Sequence, residues 1–502
     1  MSSGPDDGTK PARNPECGHF LSLPSLGVRE PYPARMRSDS RRPTLDLLSD
    51  RLARIVPRGA ILLSALTFVS YVMGLFRDRT FARTYGAGSD LDVYNAALVL
   101  PELLLSILVI AGLASAFVPV FARVRQDGAE ATHEFARTVL SVSVVIMAIT
   151  VTILFVLAPE TVALVAPGFD PDQRALYTEL FRVMCVSAII FAVSFALGEM
   201  LVVRQRFLTY GLAPVLYNSG IVVGTIVLGP QLGILGTAIG TVLGALLHLG
   251  IRVVEIARTD FRYRPTFAIG SWGFREYVRL AIPKAFSQPI EPLTFLFFTS
   301  VASTLAAGSI SAVSFARNFQ SVPVSLIGIA FSVAAFPVIA AAASEGDRTR
   351  FTRLVLTNLA TITFLTVGAA AGLYLVGGFA VELFLGGEAF DADDVALTTL
   401  LLGAFAFSVP LEAVTHLLAR AIYSTRNTIL PVTASIVGLI VTVGAVNLLT
   451  AEHGIVALPL GFAAGQGAKV LVLAVSLAFR VRTVGSGSRH LTEAERGGRP
   501  PR

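Results

Sequence analysis

The sequence predicts an all-α polytopic membrane protein with two six-helix lobes related by a parallel internal repeat. Hydrophobic residues make up 54% of the 502 residues and charged residues only 15%, at a mean hydropathy of +0.69. Soluble domains are about 45 to 50% apolar even when glycine is counted. Apolar runs of bilayer length recur about twelve times, and a repeat at an offset of roughly 220 residues divides them into two halves.

The two ends of the chain differ from the rest. Residues 1–57 are rich in Pro, Ser, Arg and Gly and have no apolar periodicity, which predicts a disordered basic tail in the cytoplasm. The first apolar run begins near Ala60, too far along the chain for the apolar core of a secretory signal. Residues 481–502 are expected to form a second cytoplasmic tail.

The apolar runs predict one span each, because about 20 helical residues cross a hydrocarbon core of about 30 Å. The expected spans are 58–84, 92–122, 137–159, 177–204, 210–229, 233–256, 275–305, 310–342, 351–376, 393–424, 427–450 and 453–480. Residues 58–258 would then form the N-terminal lobe and residues 275–480 the C-terminal lobe, with a cytoplasmic linker at 259–274. Pro101, Pro323 and Pro410 predict kinks in the long spans.

The repeat is visible in the letters of the sequence. The stretch GAGSDLDVYNAALVLPELLLSILVIAGLASAFVPVF is echoed by AAGSISAVSFARNFQSVPVSLIGIAFSVAAFPVI, and QLGILGTAIGTVLG is echoed by EHGIVALPLGFAAG. Each half has an even number of spans, so the halves share one orientation and are related by an axis along the membrane normal. A cavity between them would support alternating access.

The charged loops predict orientation. Basic residues follow the even-numbered spans and acidic residues follow odd-numbered ones, as at 382–394. By the positive-inside rule both termini are cytoplasmic. The same rule accounts for the formal charge of +6, so no nucleic-acid partner is expected.

Signals for soluble enzymes and metal sites are missing from the sequence. It has no GxxxxGK[ST] phosphate loop and no HExxH, and its two cysteines, Cys17 and Cys185, lie far apart. The acidic stretch at 390–394 is best interpreted as a solvated loop. The glycine series at 236, 240 and 244 predicts a close-packing helix face. We therefore expect a transporter, with no catalytic residue, metal or cofactor, and with coupling to membrane potential, H⁺ or Na⁺ left open.

Ionisable residues within the spans are the candidates for a substrate site, since a charge near the bilayer centre costs about 2.5 to 3.5 kcal/mol. The candidates are Arg77, Asp78, Arg83 and Asp92 in the first half and Arg317 and Gln320 in the second. Arg77 and Arg317 are the best pair, each near a corresponding helix of its half, because guanidinium binds phosphate through a planar fork. Alternatively, Arg77 pairs with Asp78 or Asp92, or reaches towards the membrane surface.

A second set of residues could couple transport to an ion. Glu412 and His416 share a helix face, and the repeat is expected to place Glu199 opposite His416. Glu291 follows Lys284 in a proline-rich stretch that predicts a broken helix start near the cavity. Polar residues also hold membrane helices together, so helix packing is the alternative role for these side chains.

The order of residues resembles a known family. G-L-F-R-D-R-T-F-A-R-T-Y-G-A-G-S-D-L-D, then L-P-E-L-L and A-S-A-F-V-P-V-F, are similar to the first two helices of the MurJ (MviN) lipid II flippases, within the multidrug, oligosaccharidyl-lipid and polysaccharide exporters. The resemblance implies the exporter fold, a polyprenyl-diphosphate-linked saccharide as substrate, and cavity arginines at Arg77 and Arg317. It departs at Tyr71, Leu105 and Ser106, where the family has arginines, and in lacking two C-terminal helices.

The leading expectation is thus a flippase of the bacterial cytoplasmic membrane that moves lipid II or a related precursor. Its expected partners are the lipid-linked saccharide, membrane lipids and proteins of cell-wall synthesis or division. Two alternatives stay open at this stage. One is a cation-coupled drug exporter, which favours an acidic and aromatic cavity, and the other is a non-transporting scaffold that acts through the basic tail.

Overall fold

Helices account for nearly all of the chain that this computed structural model describes, residues 58–287 and 289–482. The first half contains α1 (Arg58–Tyr85), α2 (Ser89–Leu105), α3 (Val118–Val124), α4 (Ala129–Val156), α5 (Ala158–Val165), α6 (Pro171–Val203), α7 (Phe207–Val223), α8 (Gly229–Leu232) and α9 (Ile234–Ala257). The second half contains α10 (Trp272–Ser287), α11 (Ile290–Ala302), α12 (Ser309–Pro323), α13 (Ala330–Ser344), α14 (Arg348–Leu385), α15 (Ala392–Ala406), α16 (Ser408–Ser424), α17 (Ile429–His453) and α18 (Ala457–Val481).

These helices follow the order of the predicted spans. By length and hydropathy, eight helical stretches of the described chain suffice to cross a membrane, or nine when the bent pair α15 and α16 is counted as one. One of the eight, Ile429–Val481, contains both α17 and α18. The prediction of an all-α, multi-pass fold is confirmed. The predicted tails lie outside the described residues, except for Val481 and Arg482.

Three helix irregularities lie near the prolines that predicted kinks. Pro101 lies inside α2, which continues into π-helical turns at Ser106–Ile110 and Leu113–Phe117. Pro323 ends α12, and the π-helical segment Val324–Ile329 joins it to α13. Close to Pro410, α15 and α16 meet at a bend of 42°. The missing amide hydrogen of proline removes one helical hydrogen bond at each place.

The repeat can be assigned residue by residue from backbone conformation. Described residues with positive φ fall into four pairs, Gly86 with Gly308, Gly128 with Gly346, Gln205 with Arg426, and Gly233 with Gly454. Gln205 and Arg426 have φ of 57° and 59°, a conformation uncommon outside glycine. The last two pairs have the same offset of 221 residues, and so do the N-cap residues Asp170 and Asp391.

This register corrects two placements made from the sequence. At an offset of 221, the counterpart of Glu199 is Arg420, whereas the sequence comparison placed Glu199 opposite His416. At the offset of 222 shown by Gly86 and Gly308, the counterpart of Arg77 is Thr299 on α11. Arg317 lies on α12, so the two arginines come from helices that are not equivalent. Similarity between the two sequence halves was too low to align them with single-residue accuracy.

Glycine faces hold neighbouring helices close together. A Cβ at Gly220 on α7, or at Gly224 in the π-helical turn that follows α7, would collide with the backbone of Gly244 or Gly240 on α9. In the second half, Gly465 on α18 packs in the same way against α17. The prediction of a close-packing face is confirmed, because only a residue without Cβ allows this approach.

The predicted lobe boundaries stay predictions. Residues from Arg58 onward form one compact unit, and one hydrophobic core includes side chains from both halves. Helix α10, which the sequence assigned to the C-terminal lobe, packs against α3 and α4 of the first half. The two halves are therefore in extensive contact around the candidate site.

Candidate functional site

Three adjoining cavities lie where the halves meet and inside the second half. The seam cavity, about 360 Å³, lies between α1 and α12 and is lined by Arg77 and Asp78. The middle cavity, also about 360 Å³, is lined by Arg317 and Glu291. The second-half cavity is the largest at about 580 Å³. Asn318 lines the first two and Glu291 the last two, so the cavities form one chain across the protein.

Arg77 is held at the wall of the seam cavity by two neighbours. Its Nη2 donates to Asp78 Oδ1 at 2.8 Å and its Nη1 donates to Asn218 Oδ1 at 3.1 Å. Asp78 is in turn fixed by Asn318 of the second half, whose Nδ2 donates to Asp78 Oδ2 at 2.8 Å. The side chain of Arg77 remains 26% exposed. Each terminal nitrogen of Arg77 thus keeps an N–H that the described residues leave free for a ligand.

Arg317 is enclosed more completely. Glu412 accepts from Nη1 at 2.8 Å and from Nη2 at 2.9 Å, and Glu291 accepts from Nη2 at 3.3 Å. Gln320 also accepts from Nη1. The guanidinium faces the ring of Phe462 at 4.8 Å. All terminal N–H groups of Arg317 are therefore occupied in this conformation.

Two hydrogen bonds connect α1 to the segment formed by α12 and its π-helical extension. One joins Asn318 to Asp78, and the other runs from the Tyr71 hydroxyl to Ser325 Oγ at 2.8 Å. The bonds lie seven residues apart on each segment, which is about 10 Å along a helix. Between them Gly74 faces open space. The seam cavity thus lies between two polar cross-links.

A second line of contact, the distal seam, joins the halves at the C-terminal end of α1. Asp92 accepts hydrogen bonds from Gly308 N, Ser311 N and Ser311 Oγ, each at 2.7 Å. Asp394 Oδ2 accepts from Ala87 N at 2.9 Å. Asp92 thereby satisfies free amide groups in the first turn of α12, as an N-cap does. The distal seam is closed in this structure.

The family profile described as lipid II flippase MurJ matches residues 81–491. This chain belongs to the lipid II flippase MurJ family. The probable lipid II flippase MurJ of Thermotoga maritima is 27% identical over 386 residues, 76% of each chain. The lipid II flippase MurJ of Burkholderia cenocepacia is 24% identical over 395 residues, 77% of this chain and 76% of the relative.

Solved structures show the same fold. A lipid II flippase MurJ in an inward closed conformation superposes with a TM-score of 0.74 at 22% identity, covering 88% of this chain and 94% of that one. An inward-facing multidrug resistance MATE transporter gives a TM-score of 0.66 at 16% identity, covering 85% and 98%. The chain is therefore a multi-pass protein of the cytoplasmic membrane with the fold of the MurJ family.

The structure brings most of the predicted site residues together. Arg77 and Asp78 line the seam cavity, and Arg317 lies beyond Asn318 in the adjoining middle cavity. Gln320 is fully buried beside Glu412. Glu291, Glu412 and His416 all line the second-half cavity. The pairing of Arg77 with Asp78, which the sequence left as an alternative, is present.

Three predicted residues lie elsewhere. Asp92 belongs to the distal seam. Arg83 is exposed near Gly387 at the end of α1, because that helix continues beyond the cavity. Glu199 lies near the buried Arg252 in the first half and lines none of the three cavities. The geometry gives these side chains no contact with a ligand in the cavities.

Sequence reasoning missed several residues that shape the site. Asn218 and Asn318 fix Arg77 and Asp78, and Lys469 lines the second-half cavity. Lys469 carries a usable signal, a lysine within an apolar span and without an acidic neighbour in sequence. Among the described residues no group of three or more His, Cys, Asp or Glu side chains is arranged to hold a metal ion.

The ionisable side chains of the cavities carry an excess of positive charge. The second-half cavity is lined by Lys284, Arg420 and Lys469, and by the carboxylates Glu291 and Glu412. Both carboxylates also contact Arg317. Arg77 and Asp78 cancel each other in the seam cavity. The arrangement attracts anions, because cations in a low-dielectric space stabilise negative charge strongly.

Proposed function

We propose that this MurJ-family protein is a flippase that moves a polyprenyl-diphosphate-linked saccharide, lipid II or a related cell-wall precursor, across the cytoplasmic membrane. Its relatives are named lipid II flippases. The observation that carries the proposal is the chain of cavities that runs from the contact between the halves into the second half, with positive charge in excess. The family is one of transporters, and no catalytic step is proposed.

The substrate's diphosphate would bind first at Arg77. Arg77 has free N–H groups facing the seam cavity, and Asp78 and Asn218 hold its guanidinium plane in place. Phosphate oxygens accept two parallel bonds from such a fork. Arg317 completes the site only if phosphate replaces Glu291 or Glu412 as its partner. This exchange of partners gives Arg317 two stable arrangements, because its hydrogen-bond donors are occupied both with and without substrate.

The charges distinguish this proposal from a cation-coupled drug exporter. Such an exporter would present free carboxylates to a cationic ligand, whereas Glu412 is occupied by Arg317 and Gln320 here. An anionic substrate moving outward gains about 2.3 kcal/mol per charge per 100 mV when the interior is negative. We propose membrane potential as the driving force, and the predicted association with cell-wall synthesis or division proteins stays a prediction.

Arg77→Gln tests the diphosphate site. Loss of a charge-assisted hydrogen bond is worth roughly 1.5 to 3 kcal/mol, so translocation of lipid II in proteoliposomes should fall about 10- to 100-fold. Arg77→Lys should recover part of the loss, because it keeps the charge but not the fork. Arg353→Gln, an exposed cation on α14, serves as the control. Parental transport by a well-folded Arg77→Gln variant would show that Arg77 is structural.

Arg317→Gln should weaken transport too, but it also leaves Glu412 unpaired. The double variant Arg317→Gln with Glu412→Gln removes that leftover charge and restores folding. If the double variant folds and transports at the parental rate, Arg317 does not bind substrate.

We further propose that both termini are cytoplasmic, as the loop charges indicate. Cysteines are introduced at Arg350, in the first turn of α14, and at Asp393, in the first turn of α15, in a background lacking Cys17 and Cys185. An impermeant thiol reagent added to intact cells should label the cysteine at position 393 and leave position 350 unlabelled. Labelling at both positions would contradict this topology.

A further inference from the structure

The duplicated halves differ at one equivalent set of positions. In the first half four rings pack together, with Phe191 at 5.0 Å from Tyr217, 5.1 Å from His248 and 5.6 Å from Phe195, measured between ring centroids. They come from α6, α7 and α9, and they fill the space between these helices. His248 is 3% exposed.

The equivalent positions in the second half line a cavity. At the offset of 221 residues, the counterparts of Phe191, Phe195, Tyr217 and His248 are Glu412, His416, Gly438 and Lys469. All four counterparts line the second-half cavity of about 580 Å³. Replacing the ring of Tyr217 by the hydrogen of Gly438 removes the largest filling group, and the remaining replacements are ionisable. The cavity therefore occupies the volume that aromatic packing fills in the first half.

Lys469 and Arg420 have fewer hydrogen-bond partners in this cavity than Glu412 has. Glu412 binds Arg317 and Gln320, and Glu291 binds Arg317. Lys469 makes no hydrogen bond with any described residue and interacts with both carboxylates only at longer range. Arg420 donates Nη1 to the carbonyl oxygen of His416 at 3.1 Å and keeps its other donors. Lys469 and Arg420 can thus each bind a new, negatively charged partner.

We propose that the second-half cavity is a second anion-binding site, in which Lys469 and Arg420 bind an anionic oxygen group of the substrate. The group is a phosphate or a carboxylate, since both present the acceptor oxygens that ammonium and guanidinium bind. This proposal rests on the proposed function and extends it. The substrate would carry negative charge at two places, with the diphosphate at Arg77 and a second acidic group at Lys469.

Cysteine labelling measures the charge of the cavity directly. Ser435 lines the cavity, so Ser435→Cys is made in the full chain with Cys17→Ser and Cys185→Ser. Rates with an anionic and a cationic methanethiosulfonate reagent are each divided by the rate with a free thiol. We expect the anionic reagent to be favoured at least about fivefold, because local positive charge concentrates anions. Lys469→Gln should bring the ratio close to one, and Lys469→Arg should preserve it.

Protection experiments then identify the ligand. Inorganic pyrophosphate supplies the phosphate chemistry and glutarate supplies the carboxylate chemistry, each tested for slowing of the labelling of Ser435→Cys in the purified protein. The site is supported if either probe slows labelling and this protection is lost in Lys469→Gln but kept in the control Arg353→Gln. The probe that protects shows whether the bound group is a phosphate or a carboxylate. Protection by neither probe, or a reagent ratio near one, overturns it. Gln466→Cys, also at the cavity wall, replaces Ser435→Cys if that variant misfolds.

A third reporter separates this site from the proposed function. Ser321 lines the seam and middle cavities, so Ser321→Cys reports on binding near Arg77. If Arg77→Gln transports at the parental rate while the second-half cavity keeps its charge ratio and protection, the diphosphate assignment fails and the anion site stands. If only Ser321→Cys is protected, the second site is refuted and the diphosphate assignment stands.

Discussion

Arg317 and Glu412 form a buried ion pair between residues 95 positions apart in the chain. Their side chains are only 11% and 10% exposed, so water has little access to either charge. Arg317 is stabilised instead by its bidentate contact with Glu412, by Gln320 and by the ring faces of Phe295 and Phe462. A buried pair of this kind is strongly coupled, because removing one charge leaves the other without compensation.

Glu412→Gln should therefore destabilise the protein by about 3 to 5 kcal/mol, the usual cost of breaking a buried pair. The control is Glu345→Gln, which removes an exposed partner of Arg350 and should cost about 0.2 to 1 kcal/mol. Unfolding followed by circular dichroism in one detergent compares the two variants with the parent. Equal stability of both variants would show that Arg317 is adequately held by Glu291 and Gln320 alone.

At the scale of helices, the sequence predicted where spans lie better than how they are built. The predicted span 233–256 became Ile234–Ala257, since a backbone in lipid must satisfy its own hydrogen bonds over the full apolar run. The predicted span 275–305 consists of two helices, α10 and α11, and the break before Ile290 agrees with the broken helix start that the proline-rich stretch predicted. The π-helical turns after Pro101 and Pro323 were unforeseen, because they depend on packing against neighbouring helices.

The repeat shows the same limit. Glycine spacing predicted the close-packing face of α9, because the absence of Cβ is a local property of the residue, whereas its partner α7 was seen only in the structure. The partner of Glu199 was misassigned, since an apolar helix carries few distinctive letters from which to fix an alignment. Backbone conformation resolved it through Gln205 and Arg426, whose shared positive φ marks the same turn in each half.

For the whole molecule, charge inside apolar runs drew attention to four residues that line the three cavities, Arg77, Arg317, Glu291 and Glu412. Their pairing required the fold, because Asn218 reaches Arg77 across 141 residues of sequence. Arg83 was predicted to line the same cavity as Arg77 but lies near the C-terminal end of α1, since residues six apart on a helix are about 9 Å apart along its axis. The sequence predicts which residues belong to a membrane span. The depth of a side chain in the membrane and the direction in which it points depend on the tertiary structure.

The seam cavity and the distal seam together describe a conformation that is closed at the C-terminal end of α1. Asp92 alone supplies three hydrogen bonds from the first half to the start of α12. Towards the N-terminal end of α1, beside the seam cavity, the Tyr71 hydroxyl and Ser325 Oγ join the halves through one hydrogen bond. Alternating access requires the distal contacts to break, so Asp92 should set the balance between the two states.

Asp92→Asn keeps the shape of the side chain but loses the charge, so its hydrogen bonds to Gly308 and Ser311 weaken by about 1 kcal/mol or more. The population with an open distal seam should rise about fivefold or more. Ser321→Cys, in the wall of the seam and middle cavities, should then react faster with an impermeant thiol reagent added to intact cells. The reason is that the proposed topology places the distal seam at the outer surface. Asp90→Asn, an exposed carboxylate on the same turn of α2, should leave the rate unchanged. Equal labelling rates in both variants would mean that closure depends on the Asp394 contact and on helix packing rather than on Asp92.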